Sequence, residues 1–159
     1  MLDKENFEFI KSIEDNYKRA TMLANIFFKD KKDKGGFPYL GHLQYIANSF
    51  EDEDHKVAGM LHDIIEDTVV SKTILLELGF KLEIIDAIDI LTKKTDNYME
   101  YINSICESNN ILALDIKLKD LEHNMDIARI KNPTQNDYDR LEMYKKCYEV
   151  IKGKREMLC

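Results

Sequence analysis

The segment LHDIIEDT at residues 61–68 gathers an imidazole and three carboxylates beside apolar neighbours. Helical spacing puts Ala58, Leu61 and Ile65 on one face and His62, Asp63, Glu66 and Asp67 on the adjoining one. Three carboxylates and an imidazole next to a core seam repel one another when ionised. Desolvation adds to that cost, and a bound cation would remove it. Any one of these residues alone reads as an ordinary solvated position; the cluster points to an ion. His62 and Asp63 offer one nitrogen and one oxygen donor, too few to hold a divalent ion tightly, so further donors must come from elsewhere. His42 follows FPYLG and opens a segment whose Leu43, Ile46 and Ala47 face a core. Asp120 lies in IKLKDLEHNM at 116–125, on a segment with an apolar stripe of Leu114, Leu118, Leu121 and Met125. The order along the chain is His, His-Asp, Asp.

These donors need scaffolding, and the hydrophobic period is helical almost throughout. Phe7, Ile10, Ile13, Tyr17, Ala20, Ala24 and Phe27 recur at three or four, predicting one amphipathic helix over about 3–28. KDKKDKGGFPYLG then breaks the pattern as a basic loop. Helices are expected over about 41–50 and 54–67, followed by a short one capped by Ser71 and ended before Gly79. Further helices are expected over about 81–92, 97–107 and 110–131, where Pro133 intervenes. Thr134 with Asp137 three residues on resembles a capping box, starting a last helix that reaches about Lys152. No strand alternation or internal repeat competes, so the fold class is all-α.

With 159 residues, 44% apolar and 33% charged, the chain suits a single domain, 1–159, with a real core. A net charge of −7 argues against nucleic acid or an anionic membrane as partner, because both need a positive field. It leaves room for a small phosphorylated ligand at a local basic rim. KDKKDKGG at 29–36 supplies either such a rim or a plain solvated loop. Cys106, Cys147 and Cys159 are odd in number and widely spaced, which suits neither a disulfide framework nor a cysteine zinc site. No apolar run is long enough to span a bilayer, and MLDKENFEF lacks a signal-peptide pattern. A soluble cytoplasmic protein is expected, with its oligomeric state open.

Four segments in order, KKDKGGFPYLGH, AGMLHDIIEDT, ILTK and IKLKDLEHNM, resemble the HD superfamily of metal-dependent phosphohydrolases. Within it they look like the hydrolase domain of RelA/SpoT-type enzymes, which removes the 3′-pyrophosphate from guanosine tetra- and pentaphosphate. The resemblance covers roughly residues 20–150. It implies an HD-domain helical bundle in which His42, His62, Asp63 and Asp120 bind one divalent ion, typically manganese in this branch. It also makes Glu66 and Asp67 the catalytic acidic pair that manages the attacking water, and Asn124 a nucleotide contact near the ion. Lys31 and Lys32 fall where the family usually has an Arg-Lys pair, and Arg140 and Tyr144 resemble its C-terminal nucleotide-contacting helix. The lysine at 31 departs from the pattern: an ammonium keeps the charge but stacks on a base less well than a guanidinium. Lys119 stands where a small residue is common and either reaches phosphate or points to water, the second being the expectation. His55 and His123 have no matching metal role and are expected at the surface. The length fits a hydrolase without a synthetase domain.

The donor set itself suits several first-row ions, and affinity alone would favour zinc, so manganese rests on the resemblance and on availability. Three functions stay open: a small alarmone hydrolase, an HD phosphohydrolase acting on another nucleotide such as a 5′-monophosphate, and a metal- or nucleotide-binding module without turnover.

Overall fold

The structure is a computed structural model, and it describes residues 2–159. Its helices are α1 (Lys4–Lys11), α2 (Asn16–Phe28), α3 (Tyr39–Asn48), α4 (Glu53–Leu61) and α5 (Ile64–Asp67), then α6 (Lys72–Glu77), α7 (Leu82–Leu91), α8 (Tyr98–Glu107), α9 (Ile111–Asn124) and α10 (Gln135–Met157). A 3-10 turn, Ile127–Arg129, separates the last two. The architecture is all-α, with a single isolated bridge between Lys32 and Pro38 as the only β pairing among the described residues. No helix among them is long and apolar enough to cross a membrane.

Three expected helices are cut short or divided, each for a local reason. The first divides after Lys11, because Asp15 accepts from the Lys18 N–H and starts a new helix. The carbonyl of Ile13, left in the turn, takes two hydrogen bonds from the Arg19 guanidinium, which also donates to Gly79 O. The 54–67 helix divides at His62-Asp63, and the 110–131 helix stops at Asn124. There the Arg129 side chain turns back to the His123 carbonyl at 3.3 Å, so the chain leaves α9 in a 3-10 turn.

The core lies where α4 passes between α2, α3, α7 and α9. Leu23, Leu43, Ile46, Met60, Leu61, Ile85, Ile88 and Leu114 are all sealed from solvent. Gly59 makes the α3–α4 crossing close: a Cβ there would stand 3.0 Å from Ala47 N and 3.0 Å from Ile46 Cγ2. α10 begins with the expected capping box of Thr134 and Asp137 and runs past Lys152 to Met157. Cys147 and Ile151 are buried against the core, and Arg155 Nε donates to Asp115 on α9 at 2.6 Å, so α10 is pinned at several points.

Candidate metal and nucleotide site

Two turns of helix geometry explain how His62 and Asp63 reach one place. Successive residues on a continuous α-helix point about 100° apart. Here α4 ends at Leu61 and α5 starts at Ile64, so the dipeptide sits in the break. The result is a distance of 3.1 Å between His62 Nε2 and Asp63 Oδ2. His62 Nδ1 lies 2.8 Å from the Gly59 carbonyl, which fixes the ring as the Nδ1–H tautomer donating to that oxygen. Its Nε2, buried with no hydrogen-bond partner, is the free acceptor of the ring whenever the ring is neutral.

His42, on the first turn of α3, brings a ligand atom within 4.8 Å of those of His62 and Asp63. Asp120, from the last turns of α9, places Oδ1 at 3.2 Å from His42 Nε2 and 3.7 Å from His62 Nε2. Four donors thus converge from three parts of the chain. The set matches two imidazoles and two carboxylates around a divalent cation, and the orphaned His62 nitrogen is an atom such a cation would satisfy.

The electrostatics favour positive charge here. Burial opposes a proton on His62, but the Asp63 and Asp120 carboxylates outweigh it and raise its pKa well above the usual imidazole value. Burial likewise works against an ionised Asp63, yet the His62 ring and the Tyr39 hydroxyl, which donates to it, hold its pKa down at about 2. Asp120 is kept well below the carboxylate range in spite of burial, chiefly by Lys117. Lys117 Nζ donates to Asp120 Oδ2 at 2.7 Å and lies over the rings of Tyr98 and Tyr101.

Glu66 lines the same cleft and accepts from the Lys93 N–H at 2.8 Å. That contact gives the ILTK segment its role, since Lys93 is its last residue. Burial pushes the Glu66 pKa up, the Lys93 bond opposes this, and the nearby Asp63 and Asp67 charges add to the rise. Asp67 turns instead toward Lys31, whose Nζ lies 2.5 Å from its Oδ2 and 4.0 Å from the centre of the Tyr39 ring.

A pocket of about 260 Å³ adjoins the cluster, lined by Lys31, Lys32, Lys34, Arg129, Arg140 and Tyr144 among others. It shares Tyr39, Asn124 and Tyr144 with the cleft that holds His62, Asp63, Glu66, Lys93, Lys117 and Asp120. Asn124 Nδ2 donates to Asp120 Oδ1 at 2.9 Å, standing between the two. Lys34 has its pKa lowered, first by burial and then by the Arg140 charge, with the Asp137 carboxylate opposing.

Sequence reasoning missed Lys117, a lysine on the buried face of α9 three residues before Asp120. Its signal was that position, one turn from Asp120 in a helix otherwise apolar on that side. His123 and His55 are not the free surface residues expected. His123 is half-buried behind His42, with the two Nδ1 atoms 2.6 Å apart, and its pKa is lowered to about 4 by burial and by the neighbouring His42 and Arg129. His55 is held between Asp52 and Asp115 at 2.8 and 3.0 Å. Lys119 pairs with Glu122 at 2.9 Å.

The arrangement of helices is that of a solved metazoan protein described as a SpoT ortholog that hydrolyses ppGpp, with a TM-score of 0.72 over 92% of this chain and 94% of that one at 20% identity. The chain has the RelA/SpoT-type HD fold. A guanosine-3′,5′-bis(diphosphate) 3′-pyrophosphohydrolase of Borreliella burgdorferi is 30% identical over 148 residues, 78% of this chain. A GTP pyrophosphokinase of Myxococcus xanthus is 30% identical over 130 residues, 70% of this chain. This HD chain spans only 22% and 17% of those two proteins. No family model matches it.

Proposed function

We propose that the chain is a metal-dependent phosphohydrolase that removes the 3′-pyrophosphate of guanosine 3′,5′-bis(diphosphate) or a close relative, working in the cytoplasm with manganese. The observation that carries this reading is the shared wall of Tyr39, Asn124 and Tyr144, which joins an ion-binding cluster to a basic pocket. A nucleotide with two separated phosphate groups suits such a double site, because one group can meet the cluster while the other meets Lys32, Lys34 and Arg140.

His42, His62, Asp63 and Asp120 would hold the ion. What a divalent ion supplies there is Lewis acidity toward a phosphoryl oxygen and toward water. Glu66, with its raised pKa and its carboxylate steadied by Lys93 N–H, is suited to accept a proton from the attacking water. The water oxygen bonds to the phosphorus on O3′, the P–O3′ bond breaks, and O3′ takes up a proton. Products are guanosine diphosphate with a free 3′-hydroxyl and pyrophosphate. Lys31 bears on Asp67 and Tyr39 and so keeps Asp67 oriented, while Lys93 lines the cleft, where its charge would offset that of the leaving pyrophosphate.

The engagement of Lys31 favours loose base selection, since its ammonium is already committed to Asp67 and offers no flat surface to stack on a purine. The test is pyrophosphate release from adenine and guanine 3′,5′-bis(diphosphates) by manganese-loaded protein, beside phosphate release from 5′-monophosphates. Rapid release from the bis(diphosphates) is expected. Cleavage of the 5′-monophosphates alone would replace this substrate with the second reading, an HD hydrolase of another nucleotide.

A further inference from the structure

The loop that carries Lys31, Lys32 and Lys34 has a fixed internal structure and is fastened to the connection between α9 and α10. Asp33 N donates to Phe37 O at 2.9 Å and Tyr39 N to Lys31 O at 2.9 Å, on either side of the Lys32–Pro38 bridge. Gly36, with φ of +81°, supplies the left-handed residue that turns the chain back. Asp33 Oδ1 accepts from Gly35 N at 2.9 Å and Phe37 N at 3.0 Å, which leaves Oδ2 to pair with Arg129 Nη2 from the 3-10 turn. The Asp33 and Arg129 side chains are only 14% and 22% exposed, so water screens the pair little. Arg129 Nη1 also donates to His123 O at 3.3 Å, tying the pair to the end of α9. Gly35 lies flat on the same turn, because a Cβ there would stand 2.2 Å from the Arg129 carbonyl oxygen.

This fastening decides where the loop's cations stand. Lys31 and Asp33 are partly buried while Lys32 and Lys34 are exposed, the alternation of an extended segment. Lys31 is engaged by Asp67, and Arg140 shares its charge with Asp137 at 3.2 Å. Arg129 is matched by Asp33 and adds no net charge. Lys32 and Lys34 are therefore the pocket cations left for an anion. An ammonium binds phosphate as a point charge on a flexible stem, so its reach is set by where the backbone beneath it is held.

We propose that Asp33 and Arg129 are positioning residues, a clamp that sets Lys32 and Lys34 against the phosphate group remote from the reacting one and so gives the site its preference for nucleotides phosphorylated at both ends. The inference rests on the reading of the site as a hydrolase of nucleoside 3′-diphosphates. Position and charge predict opposite signs here. Asp33→Asn makes the loop more positive by one charge, which alone would tighten the hold on an anion. Releasing the loop from Arg129 moves the two lysines, which weakens it.

The test compares guanosine 3′,5′-bis(diphosphate) with guanosine 3′-diphosphate, which keeps the reacting group but carries a 5′-hydroxyl. Manganese-loaded wild-type protein should show the lower KM for the first. Asp33→Asn should raise that KM about 10-fold, the share of one charge-assisted contact, with kcat held and the KM of the 3′-diphosphate unchanged. Gly35→Ala, which removes no charge, should shift the same KM in the same direction. Arg129→Met reads the clamp without substrate: amide hydrogen exchange at Gly35 and Phe37 should be about 10-fold faster than in wild type. Unchanged exchange there would overturn the clamp. A lowered or unchanged KM for the bis(diphosphate) in Asp33→Asn, or a rise shared equally by both nucleotides, would overturn its positioning role. Wild-type protein that cleaves neither nucleotide would overturn the substrate reading and with it the purpose of the clamp, a failure that the Gly35 and Phe37 amides tell apart from a missing clamp.

Discussion

Replacing Lys117 by methionine isolates the contribution of the buried ammonium beside Asp120. Lys117 and Asp120 are 6% and 7% exposed and joined at 2.7 Å, so removing the ammonium leaves a carboxylate buried beside Asp63 with its nearest compensating charge gone. Breaking a buried pair by losing one partner costs about 3–5 kcal/mol. For a chain of this length each kcal/mol lowers Tm by about 2–4 °C, so the variant should melt about 6–20 °C below wild type. Melting is followed by circular dichroism in excess chelator, because a divalent ion would itself compensate Asp120. Asp120→Asn in the same background should recover much of the loss, since a pair deleted whole leaves no stranded charge. A drop of less than about 2 °C for Lys117→Met, or a double variant no more stable than it, would refute the compensating role.

Three further outcomes follow from the geometry. His62→Ala combined with Asp63→Ala should abolish Mn2+ binding in equilibrium dialysis, because it removes half of the donor set and the unpartnered Nε2. Glu66→Gln should retain the ion but lose about 10²–10⁴-fold in turnover measured as pyrophosphate release, the usual share of a positioned proton acceptor. His55 has its pKa raised first by the Asp115 hydrogen bond, with burial opposing and Asp52 adding. Its charged form is thus favoured in the folded state, so its contribution is fully present below about pH 6.5 and is lost as pH climbs through the raised pKa. His55→Gln should therefore lower the urea midpoint more at acid than at alkaline pH.

The helical period was legible because apolar residues at three and four spacing mark a buried stripe whatever packs against it. Helix ends were less so. The stripe Phe7, Ile10, Ile13, Tyr17 continues in register across the turn at 12–15, and only the capping of Asp15 divides it. In LHDIIEDT the residue types point to an ion, but the break between α4 and α5 is what lets two adjacent side chains meet, and nothing in the local composition marks it. His123 illustrates a different limit. A histidine near the end of α9 gains meaning only when α3 and the 3-10 turn bring His42 and Arg129 against it, from 81 residues before and 6 after. Lys117 was hidden for the same reason, since its partners Tyr98 and Tyr101 belong to α8.

α10 carries two pocket residues near its start and its anchors further on, with Cys147 and Ile151 in the core and Arg155 on Asp115. Because the helix is a stiff rod, those anchors set its angle of roll, and Arg140 and Tyr144 inherit it. Side-chain tips stand about 5–6 Å from a helix axis, so a roll of about 10° carries them through about 1 Å. Displacements of that size are enough to cost a reaction about 100-fold when they misplace a bound substrate. The far end of α10 therefore acts as an index, and substitutions at Ile151 or Arg155 would be read out as displacements of Arg140 and Tyr144 in the pocket wall.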